Sequence, residues 1–240
     1  MKKPLVAITG ASSGIGKALA LEFGQKGYPV LLMARRKELL DELEIANKVT
    51  AKVDVTNLED IQKAVEDAEA LYGPVDLMIN NAGIMPLETF LNQSMKDKYD
   101  TLDVNIKGVV NGMQVVLSGM VERKHGTIMN ISSVAGRYTS AEHSLYNGAK
   151  FAVNAITEQT RKEVAKDNVR LILIEPGIVD TNLLSTTVND QILQEYQKRK
   201  TAMDNGLTAQ EVAQVILHTY ELPQHVNLKE IMLTHTKQAI

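Results

Sequence analysis

The chain contains no cysteine. A disulfide framework and any thiolate metal site are therefore excluded, and the absence is compatible with a reducing compartment. No stretch approaches the roughly 20 consecutive apolar residues that a membrane span needs. At the start, Met1, Lys2, Lys3 and Pro4 are followed by an apolar run only over 5–8, too short for a secretory signal. Charge of neither sign prevails. A formal net charge of -3 leaves no basic field able to hold a nucleic-acid backbone or an anionic membrane. The histidines, His125, His143, His218, His225 and His235, fall at no metal-ligand spacing. These absences point to a cytoplasmic protein with no nucleic-acid, membrane or metal partner.

What is present is a globular balance of 44% hydrophobic and 23% charged residues over 240 positions. At this length one core can bury most of the apolar side chains, so one domain is expected. The run over 5–8 ends in a glycine loop, and Ala18, Leu19, Ala20 and Phe23 then return at helical spacing. Gly24 and Gly27 close that helix, and 29–34 is apolar on both faces, as a fully covered strand is. The alternation continues with a helix over 36–46, a strand over 50–55, a helix over 58–72 and a strand over 77–79. A long helix over 95–121, a strand over 127–131, a helix over 141–165 and a strand over 169–175 come next. A helix over 209–220 and a strand over 230–234 complete the chain. Strands separated by helices imply a parallel sheet with right-handed crossovers, an α/β, doubly wound, Rossmann-like single domain. Only 181–200 is polar and aperiodic, a surface excursion or, taken to 204, a substrate lid.

In a doubly wound sheet, ligands sit beyond the carboxyl ends of the strands, and there the motifs gather. Thr9, Gly10, Ala11, Ser12, Ser13, Gly14, Ile15 and Gly16 join the first strand to the first helix. Glycines let the backbone approach a pyrophosphate while helix N–H groups face the anion. This is not the Gly-x-Gly-x-x-Gly fingerprint, because Leu19 stands where its last glycine would be, and a tight turn alone would also use glycine. The second strand ends in Ala34, Arg35 and Arg36, without the acid that binds an adenosine ribose hydroxyl. Arginine there suits a 2′-phosphate, or else simply starts a solvated helix. Asp54, with Val55 beside it at the end of the third strand, accepts from an adenine amino group or caps the next helix. Asn80, Asn81, Ala82 and Gly83 follow the fourth strand and suit a wall against a cofactor, although these are also ordinary turn residues.

Tyr146 and Lys150 are four apart in an expected helix, so their side chains converge from one face. Ser132 and Ser133 lie just past the strand over 127–131, with Ser133 thirteen residues before Tyr146. Read in order with the glycine loop, Asn80 to Gly83, Asn105 on the long helix, and Pro176-Gly177, the chain resembles the short-chain dehydrogenase/reductase family. The likeness is to its branch of single-domain subunits and covers nearly the whole chain.

The resemblance implies an NAD(P)-dependent oxidoreductase that moves a hydride between nicotinamide and a small carbonyl or alcohol, with NADP(H) favoured by Arg35 and Arg36. Tyr146 would give its proton to the carbonyl oxygen in reduction, and Ser133 would hold that oxygen. Asn105 would support a bound water leading protons to Lys150. A free phenol titrates at about 10, so the Lys150 ammonium is expected to favour the phenolate and to hold the nicotinamide ribose. Gly10, Ser12, Ser13, Gly14, Ile15, Gly16, Arg35, Arg36, Asp54, Val55, Asn81, Ala82 and Gly83 would bind the cofactor with Tyr146 and Lys150. Pro176, Gly177 and Val179 would line the nicotinamide, and Thr181 would meet its carboxamide. Ser132 is the alternative to Ser133, and the family's serine-to-tyrosine spacing selects Ser133.

Other positions carry weaker signals. Gly148 inside the Tyr146 helix costs about 1 kcal/mol relative to alanine, which suggests close packing there. Residues 226–234 lack the paired glycines of ketoacyl-type reductases and resemble the group that includes 3-hydroxy acid and serine-type dehydrogenases. Met85 is a candidate pocket wall, and His143 is a pocket wall or a helix-start residue. The run Gln197, Lys198, Arg199 and Lys200 is a solvated face or a device attracting an anion. The helices over 95–121 and 141–165, apolar on more than one face, imply a homodimer or homotetramer. A non-catalytic dinucleotide-binding redox sensor is the competing function, yet Tyr146 and Lys150 are both retained. An NAD-preferring dehydrogenase is another, and an epimerase or dehydratase would need a larger substrate domain.

Overall fold

The computed structural model describes residues 3–239. β1 (Leu5–Thr9) is buried along its whole length, as a strand must be when helices cover both faces of its sheet. Its neighbours are β2 (Val30–Ala34) and β4 (Val75–Asn80). Outward from these lie β3 (Lys48–Lys52) on one side and β5 (Gly126–Ile131), β6 (Val169–Pro176) and β9 (Glu230–Leu233) on the other. Every pairing in this sheet is parallel. The strand order reverses between β1 and β4, which makes their carboxyl ends the place for a ligand.

Alternate side chains of a strand point to opposite faces, and two cores result. Val6, Ile8, Leu32, Ile79 and Ile174 pack beneath α1 (Gly14–Gln25) and α8 (Ala209–Glu221). Leu5, Ala7, Leu31, Met78 and Leu173 pack on the other face beneath α3 (Leu58–Tyr72), α5 (Gly108–Glu122) and α6 (Ser144–Val164). α3 occupies the span its pattern predicts, because Asn57 caps it and Glu59 and Asp60 place acids in its first turn. Among the described residues no helix is long and apolar enough to cross a membrane.

Five sequence expectations need correction. Of the helix over 36–46, only α2 (Glu38–Asp41) winds. The Lys48 ammonium takes the carbonyls of Leu40, Asp41 and Leu43, satisfying the open end of the turn so that the helix stops. β3 accordingly starts at Lys48 and ends at Lys52, which leaves Asp54 and Val55 in the following loop. The helix over 95–121 is divided into α4 (Met95–Leu102), a π turn over Asp103–Lys107, and α5. Gly148 meets no close packing: the space where its Cβ would stand is open.

The fifth correction concerns 181–200, which is not aperiodic. Asn189 caps α7 (Asp190–Ala202), Asp190 sits in its first turn, and Arg199 and Lys200 sit in its last, matching charge to the helix dipole. β7 (Val179–Asp180) and β8 (Leu207–Thr208) pair in parallel at the two ends of the excursion.

Candidate active site

A cavity of about 930 Å³ opens over the carboxyl ends of β1 and β4, and every candidate site residue except Gly16 lines it. Gly16 belongs to the packing beneath. A Cβ there would stand 2.3 Å from the Gly10 carbonyl oxygen and 2.6 Å from Asn81 Nδ2, so only glycine lets α1 approach the loop. Gly16→Ala should lower stability by about 1–3 kcal/mol. Thermal unfolding of the protein without added cofactor checks this, and an unchanged midpoint would contradict it.

Gly10 and Gly14 adopt left-handed backbone, with φ +67 and +52, which L side chains resist. A Cβ on Gly10 would also lie 2.8 Å from Ala82 Cα. Ser13, the residue before α1, makes no side-chain capping bond, and the first turn of α1 carries no acid. The open N–H groups and positive end of this helix therefore face the cavity, and they fit the pyrophosphate of a dinucleotide.

The Asn80 to Gly83 turn forms a wall, but Asn81 is a brace. Thr9 Oγ1 accepts from the backbone N–H groups of Asn81 (2.9 Å) and Ala82 (3.1 Å), while Asn81 Nδ2 donates to the Thr9 carbonyl at 2.9 Å. Arg35 and Arg36 are exposed at one end of the cavity. Asp54 Oδ1 accepts from the Thr56 backbone N–H (2.9 Å) and hydroxyl (2.8 Å). Chiefly the Thr56 N–H holds this carboxyl below the usual range, with the Thr56 hydroxyl and Arg35 adding to it against burial. Asp54 does not cap α3, since Asn57 does.

At the other end, α6 presents Tyr146 and Lys150, both buried. Lys150 Nζ donates to the Ile131 carbonyl at 2.8 Å and lies 5.5 Å from the Tyr146 ring centroid. Burial pushes its pKa down to about 8. Tyr146 packs with Met85, Leu87 and Ile192, and burial pushes its phenol up, opposed in part by a hydrogen bond with Ser133. The expectation that the ammonium favours phenolate is thus reversed. The ammonium is turned to a carbonyl at the flank of the ring, and desolvation prevails.

Ser133 Oγ donates to the Pro176 carbonyl at 3.3 Å and accepts from the Ala135 N–H at 3.1 Å. Ser132 is turned away, its hydroxyl 2.5 Å from Asn154 Oδ1, whereas Ser133 is the serine within hydrogen-bond reach of Tyr146. Asn105 is buried within the π turn, a feature common at functional sites. Its Oδ1 accepts from the Ile84 N–H at 3.2 Å, and its Nδ2 donates to the carbonyls of Ile84 and Thr101, both at 2.9 Å. His143 stands at the residue before α6 without a side-chain capping bond, its Nδ1 2.5 Å from the Ala141 carbonyl oxygen. Pro176, Gly177, Val179 and Thr181 line one wall, and Thr181 Cγ2 lies 3.1 Å from where a Cβ on Gly14 would stand.

Sequence reasoning overlooked Leu183, Leu184 and Tyr196, which also line the cavity. The signal was available in Asn189 as a cap and in Ile192 and Tyr196 four apart, but the polar residues around them masked it.

Residues 4–192 match the family model described as short chain dehydrogenase. An uncharacterized oxidoreductase of Listeria monocytogenes is 36% identical, covering 99% of this chain and 98% of its own. The closed form of a serine dehydrogenase complexed with NADP+ superposes with a TM-score of 0.90 at 31% identity, covering 98% of this chain and 96% of the other. Serine dehydrogenase from Escherichia coli gives a TM-score of 0.84 at 30% identity, covering 98% of this chain and all, 100%, of the other.

Proposed function

The chain belongs to the short-chain dehydrogenase family and is an NAD(P)-dependent oxidoreductase; from that premise we propose that it acts with NADP(H) on a small carbonyl or alcohol, with Tyr146 exchanging the proton. The observation that carries this reading is the buried grouping of Ser133, Tyr146 and Lys150 at one end of a glycine-cradled cavity. The nicotinamide, when bound, supplies the hydride. The first turn of α1 holds the pyrophosphate, and Lys150 holds the nicotinamide ribose. Ser133 donates to the carbonyl oxygen, and Tyr146, kept protonated by burial, passes it a proton during reduction. Because the Asn105 side chain is spent on Ile84 and Thr101, support of a water toward Lys150 falls to its backbone carbonyl.

Arg35 and Arg36 are the partners for a 2′-phosphate, and the NADP+ in the serine dehydrogenase complex supports that preference. The test is consumption of NADPH and NADH by purified protein across aldehydes, ketones and oxo acids. The double variant Arg35→Ser with Arg36→Ser should raise KM for NADPH about 100-fold, each charge-assisted bond contributing about 1.5 kcal/mol, and leave KM for NADH nearly unchanged. An NADH preference in the wild-type protein would overturn the assignment.

The segment over 181–204 acts as a lid over the substrate. Thr187 Oγ1 donates to the Met85 carbonyl (2.9 Å) and accepts from the Leu87 N–H (3.0 Å), and Asn189 Nδ2 donates to Glu88 Oε2 (2.8 Å). The protein works in the cytoplasm as a homodimer or homotetramer, in which the exposed Met95, Tyr99, Val110 and Phe151 of α4, α5 and α6 are covered. Light scattering should give a multiple of the chain mass, and a monomeric mass would refute this.

A further inference from the structure

β6 and β9 pair as far as Pro176 opposite Leu233, and the Leu233 carbonyl still accepts from the Gly177 N–H at 2.9 Å. One residue further, β9 has no strand left to offer an acceptor, and the Ile178 N–H would stand open. The segment after β9 turns back to meet it. The Gln238 N–H closes a turn on the His235 carbonyl (2.8 Å), and the Lys237 N–H donates to His235 Nδ1 (3.2 Å). Gln238 Oε1 then accepts from the Ile178 N–H at 3.0 Å. A side-chain amide thus takes the place of the next peptide carbonyl of β9.

The fit is close. A Cβ on Gly177 would stand 2.2 Å from Gln238 Oε1 and 2.8 Å from its Cδ, so a side chain there would drive the amide off Ile178. Gly177 does not adopt left-handed backbone, and its bareness serves this contact. On the other side, the Ile178 carbonyl accepts from the Leu207 N–H at 2.9 Å, so the residue is held at both its N–H and its C=O. Its neighbours Gly177 and Val179 line the cavity, whereas Gln238 does not. Lys237 Nζ meets Asp204 Oδ2 at 2.7 Å, with both side chains exposed, and such a pair adds little. The amide of Gln238 is therefore the tie that matters.

Resting on the reading that Pro176, Gly177 and Val179 line the nicotinamide, we propose that Gln238 is a positioning residue for hydride transfer: its amide fixes Ile178, and with it the wall against which the nicotinamide lies. Gln238 acts through that backbone and touches neither cofactor nor substrate. The pyrophosphate cradle at α1 and the arginines at the other end of the cavity supply the binding of the dinucleotide. Loosening the wall therefore spoils orientation, to which rate is steeply sensitive, and leaves affinity nearly as it was.

The test uses the full chain in four forms: wild type; Gln238→Met, which keeps the length and removes the acceptor; Gln238→Glu, which restores an acceptor; and Lys237→Ala, which removes the exposed ion pair of the same turn. Without cofactor, the Ile178 N–H of Gln238→Met should exchange with solvent about 5-fold faster, the worth of one neutral hydrogen bond, as read by mass spectrometry of peptides overlapping at that residue. With NADPH and the compound of the panel above that wild type reduces fastest, kcat of Gln238→Met should fall about 10-fold, while KM for NADPH stays within about 2-fold. Gln238→Glu and Lys237→Ala should match wild type in all three readouts. The proposal is overturned if exchange at Ile178 is unchanged in Gln238→Met, if exchange quickens with kcat unaltered, if Gln238→Glu recovers nothing, or if Lys237→Ala loses as much as Gln238→Met. Should saturating NADP+ leave exchange over 176–181 of the wild type unchanged, the reading that this loop borders the nicotinamide would fall while the hold of Gln238 on Ile178 stood, so the two failures are distinct.

Discussion

Tyr146→Phe should lower kcat about 1000-fold while leaving NADPH binding intact, because a positioned proton donor contributes roughly that much to such a step. The substitution removes one hydroxyl and keeps the ring that packs with Met85, Leu87 and Ile192, so the protein should fold as before. Burial pushes the phenol above its ordinary value. Reduction, which needs the protonated phenol, should therefore not weaken through Tyr146 at neutral pH, and oxidation should speed up as pH rises. Steady-state rates in both directions, with NADPH fluorescence as the binding readout, decide the matter. A variant that keeps more than about a tenth of wild-type kcat would be incompatible with Tyr146 as the proton donor.

Lys150→Met should abolish measurable turnover and, at the same time, stabilise the protein without cofactor. Burial lowers the lysine from 10.5 to about 8, so at pH 7 the folded state carries a charge that it holds less well than the unfolded chain does. A cation with a lowered folded pKa is destabilising in full below that pKa, and the cost is relieved as pH rises from about 8 to 10.5. The cost at neutral pH is about 3 kcal/mol, offset by about 1 kcal/mol for the lost bond to the Ile131 carbonyl, which leaves a net gain of about 2 kcal/mol. The gain should vanish as pH rises toward 10.5 and give way above it to a loss of about 1 kcal/mol, the bond to the Ile131 carbonyl alone. Thermal unfolding of both proteins at neutral and alkaline pH tests the sign, and a variant less stable at pH 7 would contradict the burial cost. In the wild type, kcat/KM for NADPH should fall above about pH 8 as the ammonium loses its proton, since that ratio reports the free enzyme.

The elements that bury most were the most legible. β1, β2, β5 and β6 are buried along their whole length and largely apolar, and α3 has its cap immediately before it and its acids in its first turn. Local signals therefore agreed with the final structure. α2 is shorter than its pattern predicts because what ends it is Lys48, a residue beyond the helix whose ammonium reaches back to the carbonyls at its end. α7 escapes a reading by periodicity because only Ile192 on it is buried, so its apolar stripe is too narrow to rise above a polar background. The π turn leaves no mark in a pattern read at ordinary helical spacing.

In the site, chain order alone dictates which residues come together, because a parallel sheet brings every loop that follows a strand to the same edge. The glycine loop, Arg35, Asn81, Ser133, Tyr146, Lys150 and Pro176 are all placed by that rule and all line one cavity. What each is free to do depends on the packing around it. Asn81 and Asn105 have their amides taken by backbone from other segments, and Ser132 is taken by Asn154 while Ser133 stays within reach of Tyr146. Burial raises the phenol that the neighbouring lysine was expected to lower. Chain order governs which groups share an edge, whereas hydrogen-bond commitment and desolvation depend on every segment packed around them.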